Sequence, residues 1–125
     1  MPRRMSCSLT TDAVRMRTKT VTRRHVDTWR AVAAGDRLIL VEKAMGLPKG
    51  AKQVVLAEVE IVSNDIVRLS DIDEDDCARE GFPDMTPAEF VDFWAHSHRV
   101  HWANQSSAVA YQVRRIEWRY LDEAP

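Results

Sequence analysis

The sequence predicts an α+β fold: a small mixed or antiparallel β-barrel with short helices around it. Three observations carry that expectation. Residues 37–42, 53–63 and 109–120 have the composition and alternation of strands. Several of the links between extended stretches are of hairpin scale, which favours antiparallel pairing over a wound parallel sheet. Helix-start signals stand between the strands, at Thr10-Thr11 and at Thr86-Pro87-Ala88-Glu89. Closing such a sheet would remove its edges. A chain of 125 residues fits one domain over 1–125.

The elements follow in order. Met5, Cys7 and Leu9 alternate with Ser6 and Ser8, which predicts a first strand from Met5 to Leu9. Thr10 or Thr11 then caps a helix from Asp12 to Met16, with Asp12 at the positive end of its dipole. Thr and Val favour extended backbone from Thr18 to Arg23. His25 to Ala34 reads as a short helix or turn, and Gly35-Asp36 as a turn. Arg37 to Glu42 has a continuous apolar middle, which predicts a strand buried on both faces. Lys43 to Lys52, with Gly46, Pro48 and Gly50, reads as an exposed basic hairpin loop.

A long strand follows from Gln53 to Ser63, with Val55, Ala57, Val59 and Ile61 on one face. Asn64-Asp65 predicts a turn, Ile66 to Leu69 a further extended stretch, and Ser70 the cap of an acidic helix that stops at Gly81. Thr86, Pro87 and Glu89 form a capping box with Pro at the first helical position, and Phe90, Phe93 and Trp94 make the apolar face. His98 to Ser107 reads as irregular. In the last strand, from Val109 to Tyr120, the apolar parity changes at Arg114-Arg115, which predicts a β-bulge.

Composition excludes some classes. With 45% apolar and 30% charged residues the chain reads as an ordinary globular protein, expected in the cytoplasm. No apolar run approaches the 18 or so residues of a membrane span. Cys7 and Cys77 are isolated in the sequence, which predicts reduced, packed thiols. The net charge of −1 conceals a polarity. Residues 1–30 carry eight Arg or Lys against two acids, and residues 71–92 carry nine acids against Arg79. The two regions either attract each other or form separate faces. The acidic stretch, with Asp73, Glu74, Asp75 and Asp76, also admits a protein-interaction role.

The densest chemistry lies in Arg17-Thr18-Lys19-Thr20-Val21-Thr22-Arg23-Arg24, four cations and three hydroxyls in eight residues. Arg and Lys neutralise phosphate, and Thr offers a donor and an acceptor. The competing reading is an edge strand kept soluble by charge. Trp29 and Trp102 lie in polar, irregular surroundings and are candidates for stacking a base, whereas the patterned Trp94 and Trp118 belong to the core. His96, His98 and His101 lack the spacing of a zinc site, so no metal or other cofactor is expected.

The whole arrangement resembles the ASCH (activating signal cointegrator homology) domain family, a PUA-like β-barrel. The likeness is carried by residues 5–11, by Lys19-Thr20-Val21-Thr22-Arg23-Arg24 and by Gly35-Asp36 with the strand after it. It continues through Arg79-Glu80-Gly81-Phe82, Met85 to Phe90 and Arg115 to Tyr120. Lys19, Thr22 and Arg24 match the family pattern Gly-x-Lys-x-x-Thr-x-Arg, and Arg17 stands where that pattern has Gly.

The resemblance implies a basic cleft for RNA or other single-stranded nucleic acid, a nucleotide, or a small modified nucleoside. Arg17, Arg23, Arg24, Lys43 and Trp29 are the candidate contacts. It also implies, as an alternative, a hydrolase in that cleft, either an amidohydrolase of N-acylated cytidine or a single-strand ribonuclease. Carried over, the amidohydrolase residues are Thr22 as nucleophile, Lys19 as base and Glu80 assisting, with Glu74 as a rival for the carboxylate. One expectation runs against this trio: on a regular strand, Lys19 and Thr22 point to opposite faces.

Overall fold

A computed structural model describes residues 2–122. Five strands form one mixed sheet. They are β1 (Arg3–Ser6), β2 (Val21–His25), β3 (Arg37–Val41), β4 (Val55–Arg68) and β5 (Gln112–Tyr120). Four helices accompany them: α1 (Thr11–Arg15), α2 (Glu74–Glu80), α3 (Pro87–Ser97) and α4 (Gln105–Ala110), with a 3-10 turn at Leu69–Asp71. The spatial order is β1-β3-β4-β5-β2. β1 runs parallel to β3, and the remaining pairs are antiparallel. The sheet is a half-barrel. Its two edge strands, β1 and β2, are not paired with each other and leave a seam.

Each face of the sheet has its own core. Met5, Leu38, Leu40, Val59, Ile61, Ile116 and Trp118 pack together with Val14 of α1. Leu69, Cys77, Phe90, Trp94 and Val113 form a second cluster beneath α2 and α3. This division explains the parity change in β5. Val113 faces the second cluster, while Ile116 and Trp118 face the first. Both faces are covered, so no bulge is needed at Arg114-Arg115, and β5 pairs with β2 in unbroken register. The irregularity lies in β4, where the register slips between Ile61 and Ser63.

Several boundaries differ from expectation. β1 spans Arg3–Ser6 rather than Met5 to Leu9, because Cys7 to Thr10 leaves the strand to enter α1. β2 starts at Val21 rather than Thr18. Asn64-Asp65 is not a turn. β4 runs through it, and the Asn64 amide donates to the carbonyls of Trp29 and Val32 at 2.9 and 2.6 Å. The cap of α2 is Asp73, which accepts from the Asp76 amide, and not Ser70. Residues 105–110 form a helix where irregular chain and the start of a strand were expected.

Two other signals are realised as expected. Thr86 and Glu89 close the capping box of α3, and Gly81 ends α2 at φ +104°. A Cβ on Gly81 would lie 3.1 Å from Thr10 Cγ2 and 3.2 Å from Ala13 Cβ. Glycine is therefore required both for the left-handed turn and for the approach of α1. This close approach sets Glu80, the residue before it, against the chain that leaves α1. No described helix is long and apolar enough to cross a membrane.

Candidate functional site

The seam between β1 and β2 holds a cavity of about 200 Å³. Its polar end is lined by Lys19, Thr22, Arg24 and Glu80, and its other wall by aromatic residues of α3. Local backbone geometry decides how Lys19 and Thr22 come to share it. Arg17 adopts φ +63° in the left-handed region. The chain leaving α1 reverses there, and the amides of Thr18 and Lys19 both donate to the Ala13 carbonyl. The regular pleat begins only at Val21. The opposite-face argument therefore fails, since Lys19 precedes the strand on which it depends.

The left-handed turn also explains the place of Arg17. Glycine reaches that conformation without strain, and Arg17 reaches it with compensating contacts. Its guanidinium donates to the carbonyls of Val14 and Leu56 at 3.0 and 3.3 Å and lies 5.0 Å from the Tyr120 ring centroid. Arg17 is a structural brace and does not line the cavity.

Lys19 is 3% exposed. Its Nζ donates to the Glu80 backbone carbonyl at 2.6 Å and lies 3.5 Å from Glu80 Oε1. Its own carbonyl accepts from Trp118 Nε1 at 3.1 Å and from the Tyr120 hydroxyl, so β5 fixes the residue from behind. Burial pushes the Lys19 ammonium below its ordinary value, with Arg24 adding to the effect and Glu80 and Cys7 opposing it. Thr22 is 5% exposed, and its hydroxyl has no hydrogen-bond partner among the described residues. Burial raises the Cys7 thiol, beside Lys19 and Arg24, and so keeps it protonated.

Glu80 is the carboxylate of the cavity. Glu74 is exposed at the start of α2 and does not line it. Glu80 Oε2 accepts from Arg23 Nη1 at 2.9 Å, and Arg23 Nη2 reaches Asp76 at 2.6 Å. Asp76 also takes two bonds from Arg115, at 2.8 and 3.0 Å, which hold its carboxyl well below the usual carboxylate range. The basic front and the acidic middle of the sequence therefore attract each other. Arg23, 4% exposed, lines the cavity with both terminal nitrogens paired to carboxylates, while its buried Nε has no partner among the described residues. Arg24 remains in the cavity wall. Its Nη2 donates to the Ser6 carbonyl at 2.5 Å, a side-chain bridge across the seam.

Two further expected contacts lie elsewhere. Lys43 is exposed in the 43–52 loop, outside the cavity lining. Trp29 packs against the first core, with the Arg3 guanidinium 4.0 Å above its ring, so that face is not open to a base. Trp94, assigned to the core by pattern, belongs to both core and cavity. Phe90, Phe93, Trp94, Ser97 and His98 recur at the spacing of one helix face, and that face is the cavity wall. Trp94 Nε1 donates to the Arg23 carbonyl at 3.0 Å, which docks α3 onto β2. Among the described residues, the one group of three or more potential metal ligands close enough to share an ion is the Asp73, Asp75 and Asp76 cluster, not the histidines.

No protein-family model matches the sequence, and no curated protein matches it either. Solved structures do. One similar chain is an Enterococcus faecalis V583 protein of the family DUF984, at TM-score 0.61 and 16% identity, covering 98% of this chain and 81% of that one. Another is an ASCH domain from Lactobacillus crispatus JV V101, at TM-score 0.59 and 12% identity, covering 95% of this chain and 79% of that one. At such identities the likeness is one of fold.

Proposed function

We propose, with the ASCH fold of this chain as the premise, that the seam cavity binds a small modified nucleoside and hydrolyses an amide on its base, an N-acylated cytidine being the class suggested by the family resemblance. One observation carries the reading. A buried lysine, a threonine hydroxyl with no partner among the described residues and a carboxylate line one cavity of about 200 Å³. That volume lies below the usual range for drug-sized ligands and suits a single base better than a strand. Aromatic walls complement a flat ring.

The proposed chemistry uses groups that share the cavity; Lys19 Nζ is bonded to Glu80 and makes no direct hydrogen bond to the Thr22 hydroxyl among the described residues. Neutral Lys19 takes the proton of the Thr22 hydroxyl as Oγ1 attacks the acyl carbonyl. The tetrahedral intermediate expels the cytidine amine, which takes that proton back from Lys19. Lys19, neutral again, then takes a proton from water as it attacks the acyl-threonine ester, and returns that proton to Thr22 Oγ1 as the ester breaks and the carboxylic acid leaves. Arg24 presents positive charge to the developing oxyanion. Glu80 positions Lys19 through both its carbonyl and its carboxylate. Burial favours the neutral amine that the first step needs. The polynucleotide reading is less well supported, because Arg23 is paired and Lys43 lies outside the cavity lining.

The test is deacylation of N-acylcytidine by the purified chain, followed chromatographically. Lys19→Ala and Thr22→Ala are expected to lower kcat at least about 100-fold. No turnover across a series of acyl lengths, or unchanged rates in both variants, would refute the reading. Tight, salt-sensitive binding of single-stranded RNA without turnover would favour the strand-binding alternative.

A further inference from the structure

His98 stands at the end of α3 and lines the seam cavity. Its ring stacks on Trp94, with centroids 3.9 Å apart and planes 14° apart, and meets the His25 ring edge-on at 5.1 Å. His98 Nδ1 lies 2.9 Å from the Trp94 carbonyl oxygen. A carbonyl oxygen only accepts, so Nδ1 carries the proton and Nε2 of the neutral ring is an acceptor. Ser97 is consistent with this tautomer: its hydroxyl donates to the same carbonyl at 3.1 Å and turns a lone pair toward Nδ1, 3.3 Å away. Nε2 has no partner among the described residues.

In the rest of the cavity, besides the hydroxyls of Ser6, Ser8, Thr10, Thr22 and Ser97, the polar side chains are charged. Lys19 and Arg24 are donors, and the carboxylate of Glu80 is occupied by Arg23 and Lys19. His98 is thus an open acceptor, placed against His25, three residues beyond Thr22 on β2. Apart from its reacting N4 amide, the base of an acylcytidine presents only the acceptors O2 and N3, so the donor that meets Nε2 comes from the sugar.

We infer that His98 Nε2 accepts a hydrogen bond from a sugar hydroxyl, so that the cavity selects a nucleoside over the free base. The inference rests on the nucleoside reading of the cavity proposed above. The titratable and charged groups facing His98 are His25 and Arg24 of β2, and both disfavour its protonation. Burial does so more strongly, so the ring stays neutral at pH 7. Protonation at lower pH would turn Nε2 into a donor and abolish the selection.

Calorimetric titration of the purified chain with cytidine and with cytosine tests this without turnover. Cytidine is expected to bind about 3- to 10-fold tighter, the worth of one hydrogen bond. The ratio should fall toward one in His98→Phe, recover in part in His98→Gln, which keeps an acceptor, and decline in the wild type once His98 is protonated. Equal affinities in the wild type at pH 8, a ratio that survives in both variants, or tighter binding of cytidine 5′-phosphate than of cytidine at pH 8 would overturn it. Binding of neither ligand would overturn it together with the nucleoside reading. A clear cytidine preference without N-acylcytidine turnover would sustain His98 and remove the amidohydrolase. Turnover without a cytidine preference would do the reverse.

Discussion

Replacing Glu80 by Gln keeps the shape, the helix and the backbone carbonyl of the cavity carboxylate but removes its charge. The carboxylate is 3% exposed, accepts from Arg23 at 2.9 Å and faces Lys19 at 3.5 Å. A glutamine retains one acceptor and sets an NH2 group against whichever cation it does not serve. Breaking one side of a buried ion pair costs about 3–5 kcal/mol. Arg23 keeps Asp76 at 2.6 Å, and Lys19 keeps the Glu80 carbonyl at 2.6 Å. The lower end, about 3 kcal/mol, is therefore expected. For a chain of this size that lowers Tm by roughly 10 °C. The second effect is functional. Glu80 raises the affinity of Lys19 for its proton. In Glu80→Gln, the rising limb of the pH–rate profile should move to lower pH, because Lys19 becomes neutral sooner. Differential scanning calorimetry reads the first effect and deacylation between pH 6 and 10 the second. A limb that stays in place or moves to higher pH would refute Lys19 as the base, and an unchanged Tm would refute the ion-pair arithmetic.

Lys19→Met removes a buried ammonium but leaves Glu80 paired with Arg23; at pH 7 it should melt at or above the wild-type temperature and be inactive. Wild-type stability should rise with pH between the lowered folded value of Lys19 and its ordinary 10.5, where the unfolded chain binds the extra proton, and Lys19→Met should lack that rise in urea titrations. Arg17→Gly relieves about 1–2 kcal/mol of left-handed strain but loses two charge-assisted bonds to carbonyls, an exposed ion pair to Asp122 and about 0.5–1 kcal/mol to chain entropy. A net loss of about 2 kcal/mol in chemical denaturation is expected, and a gain would show that the turn needs only glycine. For Asp76→Asn the acid limb is diagnostic. The depressed carboxyl of Asp76 stabilises the fold above its ordinary value of 3.8 and ceases to do so as pH falls toward the folded value. The variant should be less stable at pH 7 and lose less on acidification, as followed by circular dichroism.

Strands with a strong apolar signal were legible in the sequence, β3 by its continuous apolar middle and the middle of β4 by its alternation. So were the capping box of α3 and the glycine that ends α2. What misled was local chemistry serving a distant partner. Asn64-Asp65 has turn composition, yet the Asn64 amide ties down the 29–32 segment from within β4. The double arginine in β5 mimicked a bulge because the strand is covered on both faces. At the candidate site, Lys19 and Thr22 were named through the family pattern and Glu80 through the wider resemblance, and all three line the cavity. The α3 wall was missed, because an apolar stripe has the same period whether it covers a core or lines a cavity. The position of His98 four residues after Trp94 was a usable signal, since it places an ionisable ring on that stripe.

The site is also where the fold departs from what stability alone would favour. An ammonium at the position of Lys19 disfavours burial, and a methionine would fill the space without a charge. The molecule instead surrounds this lysine with supports. Two donors from β5 hold its carbonyl, Gly81 lets α2 close against α1, and the Glu80 carbonyl takes its proton-bearing nitrogen. Beneath it, Arg23, Asp76 and Arg115 lock α2 to β2 and β5. Such over-determination is what a preorganised base requires, because the group must not move when its charge changes. The unclosed seam has the same logic. Closing β1 onto β2 would satisfy two strand edges and obliterate the cavity, whereas the Arg24 bridge to Ser6 spans the gap and leaves room for a ring beside Thr22. A basic strand whose purpose was to attract phosphate would keep its cations in water. Here Lys19 and Arg23 are withdrawn from it, in keeping with the proposed chemistry on one small ring rather than with holding a chain.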